Sequence, residues 1–482
     1  MADRPNVLIF MMDTQRLKNM SCYGYRRETT PSIDRIAEEG VLFENHIITA
    51  SWTLPVHASL FTGKYACGHG AHERNEFLAD DMPTMAEIFN RAGYRTCGIS
   101  NNGWVGQNPA NCARGFTEYY QVGELEAVPP YVPSDDPDAR DNGSWKTVGV
   151  VQKWLGENAG AEQPFLLFIN CTEPHDVYWP PEPFRSKFLL DGVSQEEARE
   201  IAKERCQVYA TMGEVAYTAE EFEVLRSLVD GETATLDHRM GLLFDWMREQ
   251  GILDETILII ISDHGDTIGE HAWHFAHSQS ALWDSVIHTP LIMRHPGHFS
   301  GGRRVDPLVQ TNDLLPGLME LLGIEDERAA EEIQGISFLP TVSGEQVREI
   351  AMAEVQDPVH PMERILTFFP DFDVRFFNRA QKCARTRQWK YVWTSDMRDE
   401  LYDIANDPDE QFNIIWQKPE VARELRGKLE ELLLPLRQRD YGDTRRYSPE
   451  RHDPPEALRR LLAWGLARHV KGTEMIIGRP DE

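Results

Sequence analysis

Ile260-Ile261-Ser262-Asp263-His264-Gly265-Asp266 decides how the rest of this chain is read. The apolar run over residues 256–262 is short, rich in isoleucine and bounded by polar residues, as a strand buried on both faces is. A carboxylate and an imidazole follow at once, and then a glycine suited to a tight turn. Two metal ligands thus stand side by side at the carboxyl end of a strand, the edge where α/β sheets collect their ligands. An acidic loop with a structural histidine reads the same way in isolation, so the motif needs support from elsewhere.

Residues 6–12, 95–100 and 165–170 have the same strand-like character. Between such runs, apolar positions recur at helical spacing from Ser32 to Glu39, Met85 to Ala92 and Asp237 to Gln250, with Gly251 as the C-cap of the last. Strands alternating with helices predict an α/β fold with a mainly parallel sheet covered on both faces. Asp13 follows the run 6–12 as Asp263 follows 256–262, so the two converge across some 250 positions of sequence. A lone aspartate after a strand also serves as a helix N-cap.

Residues 121–145, rich in Pro, Asp and Gly, predict a surface excursion. After about residue 345 the pattern changes: Ala384 to Thr394 alternates as one strand, and Pro419 to Leu434 has helical periodicity stopped by Pro435. The expected division is a catalytic region over 1–345, a smaller C-terminal α+β subdomain over 346–440 and a charged tail over 441–482. Such a tail wraps the body or meets another subunit, which makes a homo-oligomer an expectation.

A chain of 482 residues exceeds one ordinary hydrophobic core. Its 41% hydrophobic and 26% charged residues are those of a globular protein rather than a disordered or fibrous one. The net charge of −29 excludes nucleic-acid binding through a general basic surface. An anionic substrate therefore needs local positive charge, which a bound cation supplies. The seven cysteines are scattered without a CxxC pair, which indicates neither a zinc cluster nor a disulfide framework. No run approaches the roughly 20 apolar residues of a membrane span, and residues 7–12 lack the flanks of a secretory signal. A cytoplasmic location without membrane partners is expected.

A third segment, Ser51-Trp52-Thr53-Leu54-Pro55-Val56-His57 through Gly63, sets hydroxyl residues ahead of a helix-like start. Taken together with Asp13 and Asp263-His264, it resembles the sulfatase family of the alkaline phosphatase superfamily. The likeness also runs through Cys22-Tyr23-Gly24, Thr30-Pro31-Ser32-Ile33-Asp34-Arg35, Asn170 to Pro181, Pro290-Leu291-Ile292, Lys390-Tyr391 and Glu400-Leu401-Tyr402-Asp403. The resemblance implies an alkaline phosphatase-like sandwich, a small anionic ester as substrate and a bound divalent metal.

One position departs from that pattern. Sulfatases carry an oxidisable Cys or Ser two residues before the motif proline and convert it to formylglycine. Here that residue is Thr53, and the Arg two after the proline is His57. Oxidising a secondary alcohol gives a ketone, so no formylglycine is expected. Thr53 is similar instead to the threonine nucleophile of phosphodiesterase branches of the superfamily.

The resemblance implies a single metal held by Asp13, Thr53, Asp263 and His264. This mixed donor set favours Mn²⁺, with Zn²⁺ or Ca²⁺ as alternatives. His175 and His277 are candidate proton donors for catalysis, and His274 is a weaker candidate facing the transferred group. Asn75 resembles an asparagine that binds a non-bridging oxygen, and His57 either steadies the nucleophile or caps the helix. Asn101 and Asn102 are weaker pocket candidates. The expected reaction is hydrolysis of phosphodiesters or phosphonate monoesters. Sulfate ester hydrolysis and an inactive sulfatase-like binding protein are the alternatives.

Overall fold

The computed structural model describes residues 4–73, 75–125, 143–202, 217–271, 275–276, 281–356, 379–439, 467–470 and 474–477. In chain order the strands of its largest sheet are β1 (Asn6–Met12), β2 (Val41–Phe43), β3 (Arg95–Ser100) and β4 (Glu118–Gln121). They continue with β5 (Phe165–Cys171), β6 (Thr256–Ser262), β7 (Leu291–Arg294) and β8 (Arg303–Val305). The eight strands lie in the order β8-β2-β7-β6-β1-β5-β3-β4. Every neighbouring pair is parallel except the two that β7 makes, with β6 and with β2. The four apolar runs expected as buried strands are the four strands at the middle of this sheet and beside it.

Period-two alternation divides β1 and β6 between two cores. Val7, Ile9 and Met11 with Ile257, Ile259 and Ile261 pack beneath Leu54, Ala58 and Phe61 of the helix Thr53–Thr62. Leu8, Phe10 and Met12 with Leu258 and Ile260 face Ile33 and Ile36 of Pro31–Glu39, Val148 and Val151 of Ser144–Asn158, and Leu236 and Met240 of Ala219–Glu249. Each such side chain taken fully out of water contributes about 1.5–3 kcal/mol. Sequestering both faces is what anchors the strand ends where the candidate site lies.

The helix expected from Asp237 instead begins at Ala219, behind a capping box made by Thr218 and Glu221. Its first half hides polar residues, which obscures the apolar period. Asp230, for instance, is fully buried and accepts from Asn19, Tyr25 and Arg27. Gly251, expected as its cap, follows the C-terminal turn with φ 73°.

The segment Ala384 to Thr394 is two strands rather than one. With β9 (Ala351–Val355), β10 (Gln381–Arg385), β11 (Trp389–Thr394) and β12 (Glu400–Asp403) form a four-stranded antiparallel sheet. Between β10 and β11, Thr386 Oγ1 accepts from the amides of Gln388 (3.2 Å) and Trp389 (2.8 Å) and closes a tight turn. The sequence alternation passes through that turn without a Gly or Pro to mark it. The helix Pro419–Leu433 packs on this sheet through Ala422, Leu425 and Leu429.

Buried charge ties the small sheet to the short helix Asp284–Ile287 that precedes β7. Lys390 Nζ donates to Leu282 O (2.7 Å) and Asp284 Oδ1 (2.9 Å) and pairs with Glu410. Arg385 Nη2 donates to Asp284 Oδ2 at 3.0 Å. Burial opposes the Asp284 charge, but Lys390 and then Arg385 overcome it and hold the carboxyl well below its usual range. No helix among the described residues is long and apolar enough to cross a membrane.

Candidate metal centre and nucleophile

Strand register builds the site. Met12 pairs with Ser262 of β6 on one side and with Cys171 of β5 on the other. The next residues of β1 and β6, Asp13 and Asp263, therefore leave the sheet as neighbours. Ser262 Oγ lies 2.8 Å from the carbonyls of both Met12 and His264 and accepts from Gln15 N at 3.0 Å, which fixes the two strand ends together. Thr14 has left-handed backbone, φ 66°, and its amide donates to Asp263 Oδ1 at 3.1 Å. His264 N donates to that same oxygen at 2.8 Å.

The second Asp263 oxygen, Oδ2, is buried and has no hydrogen-bond partner among the described residues. His264 Nδ1 lies 3.1 Å from Gly265 O. A carbonyl only accepts, so the imidazole proton belongs on Nδ1 and Nε2 keeps its lone pair. Nε2 lies 3.6 Å from Asp13 Oδ1 and 3.7 Å from Asp263 Oδ2. The ligand atoms of Asp13, Asp263 and His264 all fall within 4.8 Å of one another.

Burial pushes both aspartyl carboxyls above their ordinary value, and the charge of Asp263 raises Asp13 further. Two buried carboxylates, one of them with an orphaned oxygen, and an imidazole lone pair suit a divalent cation. Gly265 was expected to serve a tight turn. Its constraint is close approach instead, since a Cβ there would stand 2.3 Å from Ser285 O.

Thr53 is the first residue of its helix and Trp52 is the N-cap. Thr53 Oγ1 lies 3.4 Å from His264 Nε2, so the structure brings all four expected metal-site residues together. His57, one turn on, donates from Nδ1 to Thr53 O at 2.8 Å. Its ring is fully buried, edge-on to Phe61 and Phe168, and Nδ1 is 3.9 Å from Asp263 Oδ2. Of the two roles expected for His57, this geometry is that of a brace on the Thr53 backbone.

His175 follows β5 and enters from the strand next to β1. Its Nδ1 is 2.9 Å from Asp176 Oδ1 and 2.8 Å from Asp176 O. Burial disfavours the imidazolium, yet Asp176 and then Asp13 reverse the balance and raise His175 well above its usual value. Asn75 has its amide nitrogen donated to Gly70 O (2.6 Å) and Phe77 O (3.1 Å), within its own loop. His274 and His277 lie outside the described residues.

Asn102, a weak candidate by sequence, donates from Nδ2 to Asp13 Oδ2. The signal that places it is its position just past β3, on the edge that also yields Asp13 and His175. Asn101 instead accepts from Thr172 N (2.7 Å) and Thr172 Oγ1 (2.8 Å), which ties together the loops after β3 and β5.

The fold and this edge of the sheet define a hydrolase of the alkaline phosphatase superfamily. Within it the chain belongs to the sulfatase family, whose pattern matches residues 5–324. The pattern of the N-sulphoglucosamine sulphohydrolase C-terminal region matches residues 269–439. An ulvan-active sulfatase of Formosa agariphila is 26% identical over 457 residues, which covers 91% of this chain and 83% of that protein. An N-acetylglucosamine-6-O-sulfatase of Bacteroides thetaiotaomicron is 23% identical, over 91% of this chain and 87% of that one. The crystal structure of a phosphonate monoester hydrolase of Agrobacterium radiobacter aligns with a TM-score of 0.70 at 20% identity, over 99% of this chain and 100% of that one. Enzymes of the family bind a divalent metal.

Proposed function

We propose that the chain hydrolyses phosphodiesters or phosphonate monoesters, with unmodified Thr53 as nucleophile and one divalent cation held by Asp13, Thr53, Asp263 and His264. The observation that carries this reading is Thr53 Oγ1 at 3.4 Å from His264 Nε2, in a position where the family's aldehyde chemistry is closed to threonine. A bound divalent cation favours the deprotonated hydroxyl and offsets the anionic oxygen of the ester. We favour Mn²⁺, with Zn²⁺ or Ca²⁺ as alternatives.

The chain's own groups supply the rest. Thr53 Oγ1 forms a bond to phosphorus as the bond to the alcohol oxygen breaks. His175, kept protonated by Asp176, gives its proton to that oxygen. His277 is the alternative donor. The Thr53 proton leaves to solvent before attack; water then attacks phosphorus, gives its proton to the now neutral His175, and the bond to Thr53 Oγ1 breaks. The N-terminus of the Thr53–Thr62 helix adds a field that favours an anionic ester.

The named relatives favour a second reading, sulfate ester hydrolysis. Against it, sulfatases can release sulfate by collapse of a hemiacetal, which a threonine ester does not offer. An inactive binding protein fits less well, because Asp13, Asp263 and His264 still converge.

Metal analysis followed by rates on nitrophenyl phosphodiester, phenylphosphonate ester, phosphomonoester and sulfate ester substrates separates these readings. Thr53→Ala is expected to lower turnover by at least about 10³-fold while much of the metal stays bound. An unchanged rate in that variant removes the nucleophile assignment. Faster turnover of the sulfate ester than of any phosphorus ester overturns the reaction preference.

A further inference from the structure

A cavity of about 550 Å³ lies at the edge of the large sheet, away from the metal centre. Arg303 and Arg304 of β8 line it, and β8 is an edge strand, three strands from β6 and four from β1. At ~4.8 Å per strand, β8 stands about 14 Å from β6 and about 19 Å from β1. Also in the lining are Ser343, just past the short helix Leu339–Val342, and Arg387, in the turn between β10 and β11. Asn45 ties these segments together. Its side chain accepts from Arg385 Nη1 at 3.1 Å and donates to Asp306 O at 2.7 Å.

The charged groups of the lining are three guanidinium groups, of Arg303, Arg304 and Arg387, and one carboxylate, of Asp306. Asp306 pairs with Arg387, and Glu44 accepts from Arg304 Nε at 2.7 Å. Arg303 has no acidic partner among the described residues. It donates from Nε to Ser300 O at 3.2 Å and from Nη1 to Val342 O at 3.1 Å. Two carbonyls thus steady this guanidinium without cancelling its charge. Arg303 is exposed, and the side chains of Arg304 and Arg387 are each 50% exposed.

Charged residues on an edge strand also deter pairing with another sheet. That role asks for neither a cavity nor a third arginine brought from the C-terminal sheet. Even with Glu44 counted, three cations meet two anions here, in a chain where acids outnumber bases 78 to 49.

We propose that this cavity is a second anion site, which takes a tetrahedral oxyanion, phosphate or sulfate, on the guanidinium groups of Arg303, Arg304 and Arg387. A guanidinium fork matches the paired oxygens of such a group. The anion is either a free ion or a group carried on a larger molecule. The site does not depend on the reaction assigned to the metal centre, and its distance from β1 and β6 keeps it separate from Thr53.

The test is equilibrium dialysis of labelled inorganic phosphate against the full chain loaded with Mn²⁺. Arg303→Ala is expected to weaken binding at the cavity about 10-fold, and Arg304→Ala by a similar factor. Arg303→Lys keeps the charge and loses the fork, so its affinity is expected to fall between those of the parent protein and Arg303→Ala. Phosphate held at the metal centre is common to all these proteins and drops out of the difference. A heparin-derived hexasaccharide and its desulfated form separate the two sources. Arg303-dependent binding of the sulfated form that is tighter than that of phosphate assigns the anion to a larger molecule, and weaker binding assigns it to the free ion.

Phosphate and sulfated hexasaccharide that both bind Arg303→Ala as tightly as the parent protein overturn the proposal. An equal loss in Arg437→Ala does so too, because that arginine is 81% exposed and does not line the cavity. Such a loss marks general attraction by surface charge rather than a site.

Discussion

Two clusters of buried charge in this protein are built in opposite ways. Around Asp284, two carboxylates face Lys390 and Arg385, so each anion has a cation inside the fold. Around Asp13, two carboxylates meet imidazoles, amides and the Thr14 hydroxyl but no Lys or Arg ion pair among the described residues, and one Asp263 oxygen has no hydrogen-bond partner among them. Burial is comparable at the two places, yet Lys390 and Arg385 hold Asp284 well below its usual range, whereas burial raises Asp13 and Asp263, as it pushes Glu410 up to about 7. The first cluster carries its own cations and ties the C-terminal sheet to the helix Asp284–Ile287. The second has the donor set of a divalent-cation site.

The largest break in this comparison is expected from Asp263→Asn. Removing that charge should lose bound metal and turnover together, by at least about 10²-fold in each, as metal analysis and rates would show. Full metal content in that variant would remove Asp263 from the ligand set. Lys390→Met acts on the other cluster and leaves Asp284 and Glu410 as buried acids without their lysine. Chemical denaturation should show a loss of about 3–5 kcal/mol. Asn102→Ala sharpens the contrast, because it removes a group that orients a ligand rather than a ligand. Metal affinity should weaken about 10- to 100-fold, as read by competition with a chelator.

The smallest effect is a pH dependence. In metal-free protein the folded state keeps protons on Asp13 and Asp263 above the ordinary aspartate range, where the unfolded chain has released them. Folded metal-free protein then binds more protons, and its stability falls as pH rises through the raised values. A bound cation holds both groups ionised and removes that loss. The difference in Tm between loaded and chelated protein should therefore widen as pH rises above the ordinary aspartate range. A constant difference would break the link between these carboxyls and the metal.

The strands that carry the site were legible because both of their faces are buried. Residues 6–12 and 256–262 are nearly unbroken apolar runs for that reason, and the acids at their ends stand out. Registry was not legible. That Met12 lies opposite Ser262, and so Asp13 beside Asp263, is a property of the assembled sheet. Asn102 was weak in sequence for a related cause, since an asparagine after a strand has many uses and only its distance from Asp13 selects one. The β10–β11 turn was missed because threonine closes it by side-chain hydrogen bonds, a device with no signature as plain as Gly or Pro. The first half of the helix Ala219–Glu249 was hidden by inward polar residues whose partners are distant in sequence.

The close approach at Gly265 has a reach beyond its own turn. The amide of Gly265 donates to Val286 O at 2.8 Å, and Val286 belongs to the short helix Asp284–Ile287 whose first residue Lys390 holds. A tether of few links thus runs from the C-terminal sheet to the residue beside His264. The last strands buttress the loop that carries His264 without touching it. A chain shortened ahead of β10 would keep every metal-binding side chain and still be expected to hold its metal less firmly.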